Sequence, residues 1–359
     1  MGNKHKKIVL TGGGSAGHVT PNLALIPELI NEGWEIHYIG TSNGIEKDII
    51  PKEGVTYHTV HSGKLRRYFD IKNLTDPFKV IYGAGEATSI IRKIKPQVIF
   101  SKGGFVSVPV VIGGWLNRIP IITHESDITP GLANKMTMPF ATKICVTFPQ
   151  SKESLPAKKV VYTGTPIRRD ILEGSYEEGL RICGFNDSKP IIMIMGGSLG
   201  SRNLNNLIRE QIQRLTRHFQ VVHICGKGNI DEKLLGIKEY KQFEYIGKEQ
   251  PHIFKAASLI ISRAGANSIF EFLTLRLPNL LIPLSLNASR GDQILNAKYF
   301  EKMGFSKVMY EEELNSDLLY NGIIELYKDR NMYIENMKKS TIPQGNEEIM
   351  KLINKYAKA

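Results

Sequence analysis

Cysteine is scarce in this sequence: Cys145, Cys183 and Cys225 stand far apart among 359 residues, and no C-x-x-C pair occurs. That usage excludes a disulfide framework and a cysteine-based zinc site, and it suits a reduced compartment. Long apolar runs are missing too. No stretch approaches the ~18 uninterrupted apolar residues that mark a membrane span. The basic start, Met1 to Lys7, is followed only by Ile8-Val9-Leu10 before glycines intervene, which is too little for a signal peptide. A cytoplasmic protein is therefore expected. No D-x-D pair occurs, so a metal-bridged diphosphate is not indicated, and neither a metal nor another cofactor is expected. Low-complexity segments are absent as well.

What the chain does have is a glycine-rich turn that appears twice, each time after a short apolar strand. Ile8-Val9-Leu10 runs into Thr11-Gly12-Gly13-Gly14-Ser15-Ala16-Gly17-His18, and Ile191 to Met195 runs into Gly196-Gly197-Ser198-Leu199-Gly200-Ser201-Arg202. Glycine lets the backbone approach an anion, and the N–H groups and dipole of the following helix attract it. The repeat continues beyond the turns. Gly33 to Gly40 is echoed by Phe219 to Gly226, Val98 to Gly104 by Leu259 to Gly265, and Arg118 to Ile122 by Arg276 to Leu281. Short β-branched runs alternating with helical stretches read as βαβ units. The fold class is α/β, with two doubly wound domains and a ligand site expected between them. The hinge falls at Tyr162 to Pro166, and Ile349, Leu352, Ile353 and Tyr356 mark an amphipathic C-terminal helix that packs back on the first domain.

Two enzyme classes use such turns. Gly12 to Gly17 fits G-x-G-x-x-G, but the acid that holds a dinucleotide's ribose is missing from the end of the second strand, where Tyr38-Ile39-Gly40-Thr41-Ser42 stands. Gly196 to Gly200 fits the G-x-S-x-G elbow of a hydrolase. There His223 reads as a strand residue and no Asp is suitably placed before His252, so Ser198 suits phosphate binding better than nucleophilic attack. His18 follows the first turn, at the start of a helix expected near Val19-Thr20-Pro21. It is either a cap or a general base, for which histidine has a fitting pKa. Glu125 lies just past the expected strand Ile119 to Thr123, at the carboxyl edge where open α/β sheets bind ligands. Arg168 is a cation available to a leaving group.

The net charge is +12, and the part through Thr165 carries 20 Lys/Arg against 12 Asp/Glu. No nucleic-acid module accompanies this excess, so nucleic acid is not an expected partner. Between Ser62 and Gly85, Lys64, Arg66, Arg67, Lys72 and Lys79 lie among Leu65, Tyr68, Phe69, Leu74, Phe78, Ile81 and Tyr82. Leu74, Phe78, Ile81 and Tyr82 share a helical face. Such a face is more often core; ringed by cations, with Trp115 nearby, it also fits an anionic membrane surface.

Taken together, the first turn with His18, the Ser101-Lys102-Gly103-Gly104-Phe105-Val106-Ser107 segment and His124-Glu125 resemble the first domain of the MurG family. These are the GlcNAc transferases that complete lipid II in peptidoglycan synthesis. Gly196 to Asn205, Arg263 to Glu271 and Asp292-Gln293 resemble its second domain. The resemblance runs the whole chain in order. It implies a GT-B fold, two Rossmann-like domains facing across a cleft, and inverting, metal-independent transfer by an enzyme peripheral to the cytoplasmic face of the membrane. Residues 1–164, joined by helix 342–359, would face acceptor and membrane; residues 165–341 would bind UDP-GlcNAc. By the same resemblance Ile246 contacts uracil, Glu271 the ribose, Ser198 and Ala266-Asn267-Ser268 the diphosphate, and Gln293 the sugar hydroxyls. Ser15, Ala16, Gly17, Asp127 and Arg168 also approach the donor, and His18 and Glu125 are catalytic. Ser15-Ala16-Gly17 stands where the family often has Thr-Gly-Gly, Asp127 replaces a common Asn, and Asp292 a common Gln. The implied partners are UDP-GlcNAc, a lipid-linked MurNAc-pentapeptide, the anionic inner leaflet, and cell-wall synthesis and division proteins. A glycolipid glycosyltransferase, a UDP-GlcNAc epimerase and a non-catalytic nucleotide-sugar-binding module are the alternatives.

Overall fold

The computed structural model describes residues 6–63, 72–197, 200–287 and 289–357, without the side chains of 72–75 and 77. Two compact units emerge, Met1–Arg168 with Ile342–Ala359, and Arg169–Thr341. The break falls after Arg168 rather than at Gly164, because Ile167 N–H donates to Asn346 Oδ1 at 2.8 Å and ties this stretch to the first unit.

The first unit is built on a seven-stranded parallel sheet: β1 (Lys6–Thr11), β2 (Trp34–Gly40), β3 (Thr56–Thr59), β4 (Val98–Ser101), β5 (Ile121–Glu125), β6 (Lys143–Val146) and β7 (Val160–Tyr162). Its order is β3-β2-β1-β4-β5-β6-β7. Helices cover both faces, so its central strands are apolar on both sides. Ile8 and Leu10 point into a core with Leu25, Phe100, Ile349 and Ile353. Val9, between them, points the other way, toward Ile91, Ile99 and Val110, as the two-residue period of a strand requires. Helix Gly345–Tyr356 thus closes the sheet face that helix Ala16–Asn31 starts. Burial of Ile349 and of Ile353 is worth roughly 1.5–3 kcal/mol each.

Two boundaries differ from the sequence reading. Helix Ala16–Asn31 begins before His18, with extended Ser15 as its N-cap, and Pro21 lies inside it instead of opening it. β5 runs to Glu125, so Glu125 ends the strand rather than following it. Pairing with β6 sets this: Glu125 stands opposite Val146, and its carbonyl accepts from Thr147 N–H at 3.1 Å.

The second unit has a six-stranded parallel sheet: β8 (Ile191–Met195), β9 (Gln220–Ile224), β10 (Tyr240–Phe243), β11 (Ala257–Ser262), β12 (Asn279–Leu281) and β13 (Lys307–Val308). Its order is β10-β9-β8-β11-β12-β13. In each unit the strand order reverses beside the first strand, between β1 and β4 or between β8 and β11. Ligands of open α/β sheets bind outside the carboxyl ends of the strands at such a point, and there the chain has placed its glycine turns.

The helix Lys72–Ile94 corrects the commoner reading of its apolar face. Phe78, Ile81 and Tyr82 are 73%, 71% and 62% exposed, and Trp115 and Leu116 on helix Ser107–Leu116 are exposed too. They are not core. Lys79 pairs with Asp76 at 3.1 Å; Lys64 to Phe69 and the side chains of Lys72 and Leu74 lie outside the described residues. Among the described residues no helix is long and apolar enough to cross a membrane.

Candidate functional site

In the first unit, β1 and β4 deliver two loops side by side. His18 sits in the first turn of helix Ala16–Asn31, with its Nδ1 3.2 Å from the carbonyl oxygen of Lys102. A carbonyl only accepts, so Nδ1 carries the proton and the lone pair of the neutral ring is on Nε2. The approach is close because Gly104 has no side chain: a Cβ there would overlap the Gly13 carbonyl and press on the His18 ring. Ser15, Ala16 and Gly17 are exposed beside it.

Lys102 turns inward from the end of β4 and is buried, its ammonium bonded to Ser126 Oγ. Burial pushes its pKa down to about 8, against the pull of Glu125 and Asp127. Glu125, also buried, spends its carboxylate on the chain that follows. Oε1 accepts from Asp127 N–H at 3.1 Å, and Oε2 from Gly131 N–H at 3.0 Å and Asn134 Nδ2 at 2.7 Å. Its pKa is raised by burial first and by Asp127 second, with these bonds opposing. Glu125 therefore shapes the 126–131 loop, on which half-buried Asp127 sits, and its oxygens are committed to that task. His124 is locked in the sheet, donating from Nε2 to Gly164 O at 2.9 Å, and burial holds its pKa well below the ordinary range.

In the second unit, Ser198 lies outside the described residues. The turn around it leads to helix Arg202–Glu210, capped by Ser201. Helix Ala266–Leu275 starts with Ala266, Asn267 and Ser268, whose N–H groups have no acceptor inside the helix, as at any helix start. Glu271 is buried further along it. Gln293 reaches across with Oε1, accepting from Ala264 N–H at 3.3 Å and Leu284 N–H at 3.2 Å. Its amide can thus offer a ligand its donor end. Asp292 pairs with Arg290 at 2.6 Å. Ile246 is buried against one wall of an 830 Å³ groove, which Phe243 and Tyr245 share and Glu178, Arg181 and His252 complete.

Arg263 is buried at the end of β11. It donates to both oxygens of Glu311, at 3.0 and 2.8 Å, and to Ser201 Oγ at 2.7 Å. Burial alone would raise the Glu311 carboxyl, but the bonds from Arg263 and Asn203 outweigh it and hold the pKa below the usual range. This pair fastens the end of the second glycine turn to the sheet. The two histidines downstream of the second turn are engaged otherwise than as triad bases: His223 is buried between Tyr240 OH and Asn205, with its pKa pushed down to about 3, and His252 accepts from Ser175 N–H.

Residues 8–146 match the glycosyltransferase family 28 N-terminal domain and residues 191–354 its C-terminal domain. Over 98% of its length the chain is 58% identical to a Clostridium tetani protein, 98% of which is covered. That relative is the UDP-N-acetylglucosamine–N-acetylmuramyl-(pentapeptide) pyrophosphoryl-undecaprenol N-acetylglucosamine transferase. The chain belongs to glycosyltransferase family 28, as a MurG-type member. Acinetobacter baumannii MurG has the same fold at 22% identity, with a TM-score of 0.75 over 98% of this chain and 99% of that one. So does a UDP-N-acetylglucosamine 2-epimerase, at 14% identity, with a TM-score of 0.66 over 98% and 96%. Fold alone does not separate transferase from epimerase in this family 28 chain; sequence identity does.

Sequence reasoning passed over three side chains of consequence: Lys102, Glu311, and Glu46, whose Oε2 accepts from Gly14 N–H at 3.1 Å in the first turn. Lys102 stood within a quoted motif, but neither acid carried any pattern of its own.

Proposed function

We propose that this chain transfers GlcNAc from UDP-GlcNAc to the C4 hydroxyl of MurNAc in undecaprenyl-pyrophosphoryl-MurNAc-pentapeptide, converting lipid I to lipid II. The observation that carries this reading is the 58% identity, along nearly the full chain, to the Clostridium tetani transferase.

The donor belongs to the second unit. Ile246 meets the uracil along its groove wall, Glu271 the ribose, and Ser198 with the first-turn amides of Ala266-Asn267-Ser268 the diphosphate. Gln293 donates to a sugar hydroxyl, since its carbonyl is already engaged. Arg168, Asp127 and Ser15-Ala16-Gly17 approach the donor from the first unit's sequence. The acceptor hydroxyl attacks the anomeric carbon, the bond from that carbon to the diphosphate oxygen breaks, and the configuration inverts from α to β. His18 takes the hydroxyl proton at Nε2, the nitrogen that its bond to Lys102 leaves as the acceptor. Helix N-terminal amides and Arg168 receive the developing charge, because preorganised donors act strongly where water is excluded. Glu125 acts as a positioning residue beneath Asp127, and its committed oxygens favour His18 as the base. Exposed Phe78, Ile81 and Tyr82, with Trp115 and the neighbouring cations, rest on the anionic cytoplasmic leaflet.

The test is a transfer assay offering UDP-GlcNAc, UDP-glucose and UDP-GalNAc with undecaprenyl-pyrophosphoryl-MurNAc-pentapeptide. GlcNAc transfer to that acceptor is expected. Transfer only to a diacylglycerol acceptor, or epimerisation of UDP-GlcNAc without transfer, would overturn the reading.

A further inference from the structure

Asn346 stands in the first turn of helix Gly345–Tyr356, and its side chain is buried. Its Nδ2 donates to the carbonyl of Ala24 at 3.2 Å and to Glu28 Oε1 at 2.8 Å, both on helix Ala16–Asn31. Its Oδ1 accepts from Ile167 N–H at 2.8 Å. One amide thus joins three stretches of the first unit. The backbone around it leaves no room for slack. A Cβ on Gly345 would come within 2.1 Å of the Thr165 carbonyl oxygen, and one on Gly164, whose φ is +72°, within 2.4 Å of that of Pro343. The two segments therefore run main chain against main chain. Gly164 O in turn accepts from His124 Nε2 at 2.9 Å, near the end of β5. Further along the C-terminal helix, Asn354 donates to Glu32 Oε2 at 2.9 Å, so polar bonds stitch the two helices together on either side of Ile349 and Ile353.

Arg168 follows Ile167 directly. His18 lies on the helix that Asn346 grips, about 9 Å along its axis from Ala24. We propose that Asn346 is a positioning residue for the transfer: it ties the stretch that ends in Arg168 to the helix that carries His18, and so fixes the leaving-group cation and the base in one frame. An asparagine suits this task. It offers an acceptor to Ile167 and donors to the Ala24 carbonyl and the Glu28 carboxylate at once, whereas aspartate of the same size has no donor and leucine has neither. Breaking the tie frees the stretch from Pro166 to Arg168 to shift, and a displacement of about 1 Å in a positioned group can slow a reaction by about 10²-fold. Asn346 acts through Arg168 and not on the substrate. The proposal rests on the reading of Arg168 as the cation that receives leaving-group charge.

The experiment is a double-mutant cycle on the full chain, read by single-turnover GlcNAc transfer to undecaprenyl-pyrophosphoryl-MurNAc-pentapeptide and by calorimetry with UDP. Asn346→Leu should lower turnover roughly tenfold and leave UDP affinity nearly unchanged, because the displaced group serves the transition state. In an Arg168→Ala background the same substitution should cost almost nothing further, since the group it displaces is gone. Losses that multiply across the two sites would overturn the proposal, and Asn346 would then support the fold in general. Wild-type turnover in Asn346→Leu would overturn it as well. Arg168→Ala with wild-type turnover would sink the reading of Arg168 and the proposal with it, a result seen in the single variant and so distinct from the other two. Asn346→Ala, small enough to admit water to the freed N–H and carbonyl groups, carries the cycle if the leucine chain melts below the assay temperature.

Discussion

The carbonyl of Lys102 lies 3.2 Å from Nδ1 of His18, and the side chain of the same lysine bonds Ser126. One residue thereby sets the tautomer of the candidate base and anchors the loop that bears Asp127. The main-chain half of this arrangement survives any substitution at 102, while the side-chain half does not. The two roles are separable by mutation.

His18→Ala should lower turnover by about 10²- to 10⁴-fold, the usual worth of a general base. Affinity for UDP should change little, because the contacts proposed for uracil, ribose and diphosphate come mainly from the second unit. Single-turnover transfer and calorimetry measure the two quantities. Near-normal turnover would move the base elsewhere, and Asp127 is next, since Glu125 is committed to its loop.

Lys102→Met should change how stability responds to pH. Burial holds the folded lysine near pKa 8, below its ordinary value of 10.5, so between those pH values the unfolded chain binds more protons. Stability then rises as pH goes from about 8 to 10.5, by up to ~3 kcal/mol. Melting temperatures across that range should climb in wild type relative to the methionine variant. Parallel curves would mean that the ammonium is better solvated than its burial implies.

Glu311→Ala removes one partner of a buried ion pair and strands Arg263, a change that typically costs about 3–5 kcal/mol. The Glu311 pKa is held low, so the pair's contribution is present above the ordinary carboxylate range and is lost as pH falls through the folded value. The variant should melt lower at neutral pH, and the gap to wild type should narrow in acid. UDP should also bind more weakly, because Ser201 and the glycine turn lose their tether. Unchanged UDP affinity in a destabilised variant would reduce the pair to a purely structural role.

Much of the architecture is legible in the chain because its signals are local. Strand, glycine turn and helix follow one another within a dozen residues, and the strand-order switch lies where those turns predict a ligand. What escapes the sequence is long-range pairing. Glu46 meets Gly14 across 32 residues and Arg263 meets Glu311 across 48, and neither acid has a neighbour that advertises its partner. Pro21 misleads about the helix start because proline favours first turns, yet here it follows a full turn that begins at Ala16. Periodicity at Phe78, Ile81 and Tyr82 marks one face of a helix without saying what covers it.

That uncovered face supplies the last expectation. A substitution at an exposed position away from special contacts usually moves stability by no more than ~0.5 kcal/mol, so Phe78→Ser with Tyr82→Ser should leave the melting temperature nearly unchanged. Tyr82 does touch His61, ring to ring at 5.2 Å, which sets the small loss to expect. Sedimentation with anionic vesicles should nevertheless fall, since these side chains supply the apolar part of the contact and the cations around them the electrostatic part. Wild-type binding should weaken as salt rises and the Debye length shrinks. If the double variant binds vesicles as wild type does, the membrane contact lies on another surface; if it unfolds, the face is covered in solution by protein rather than lipid.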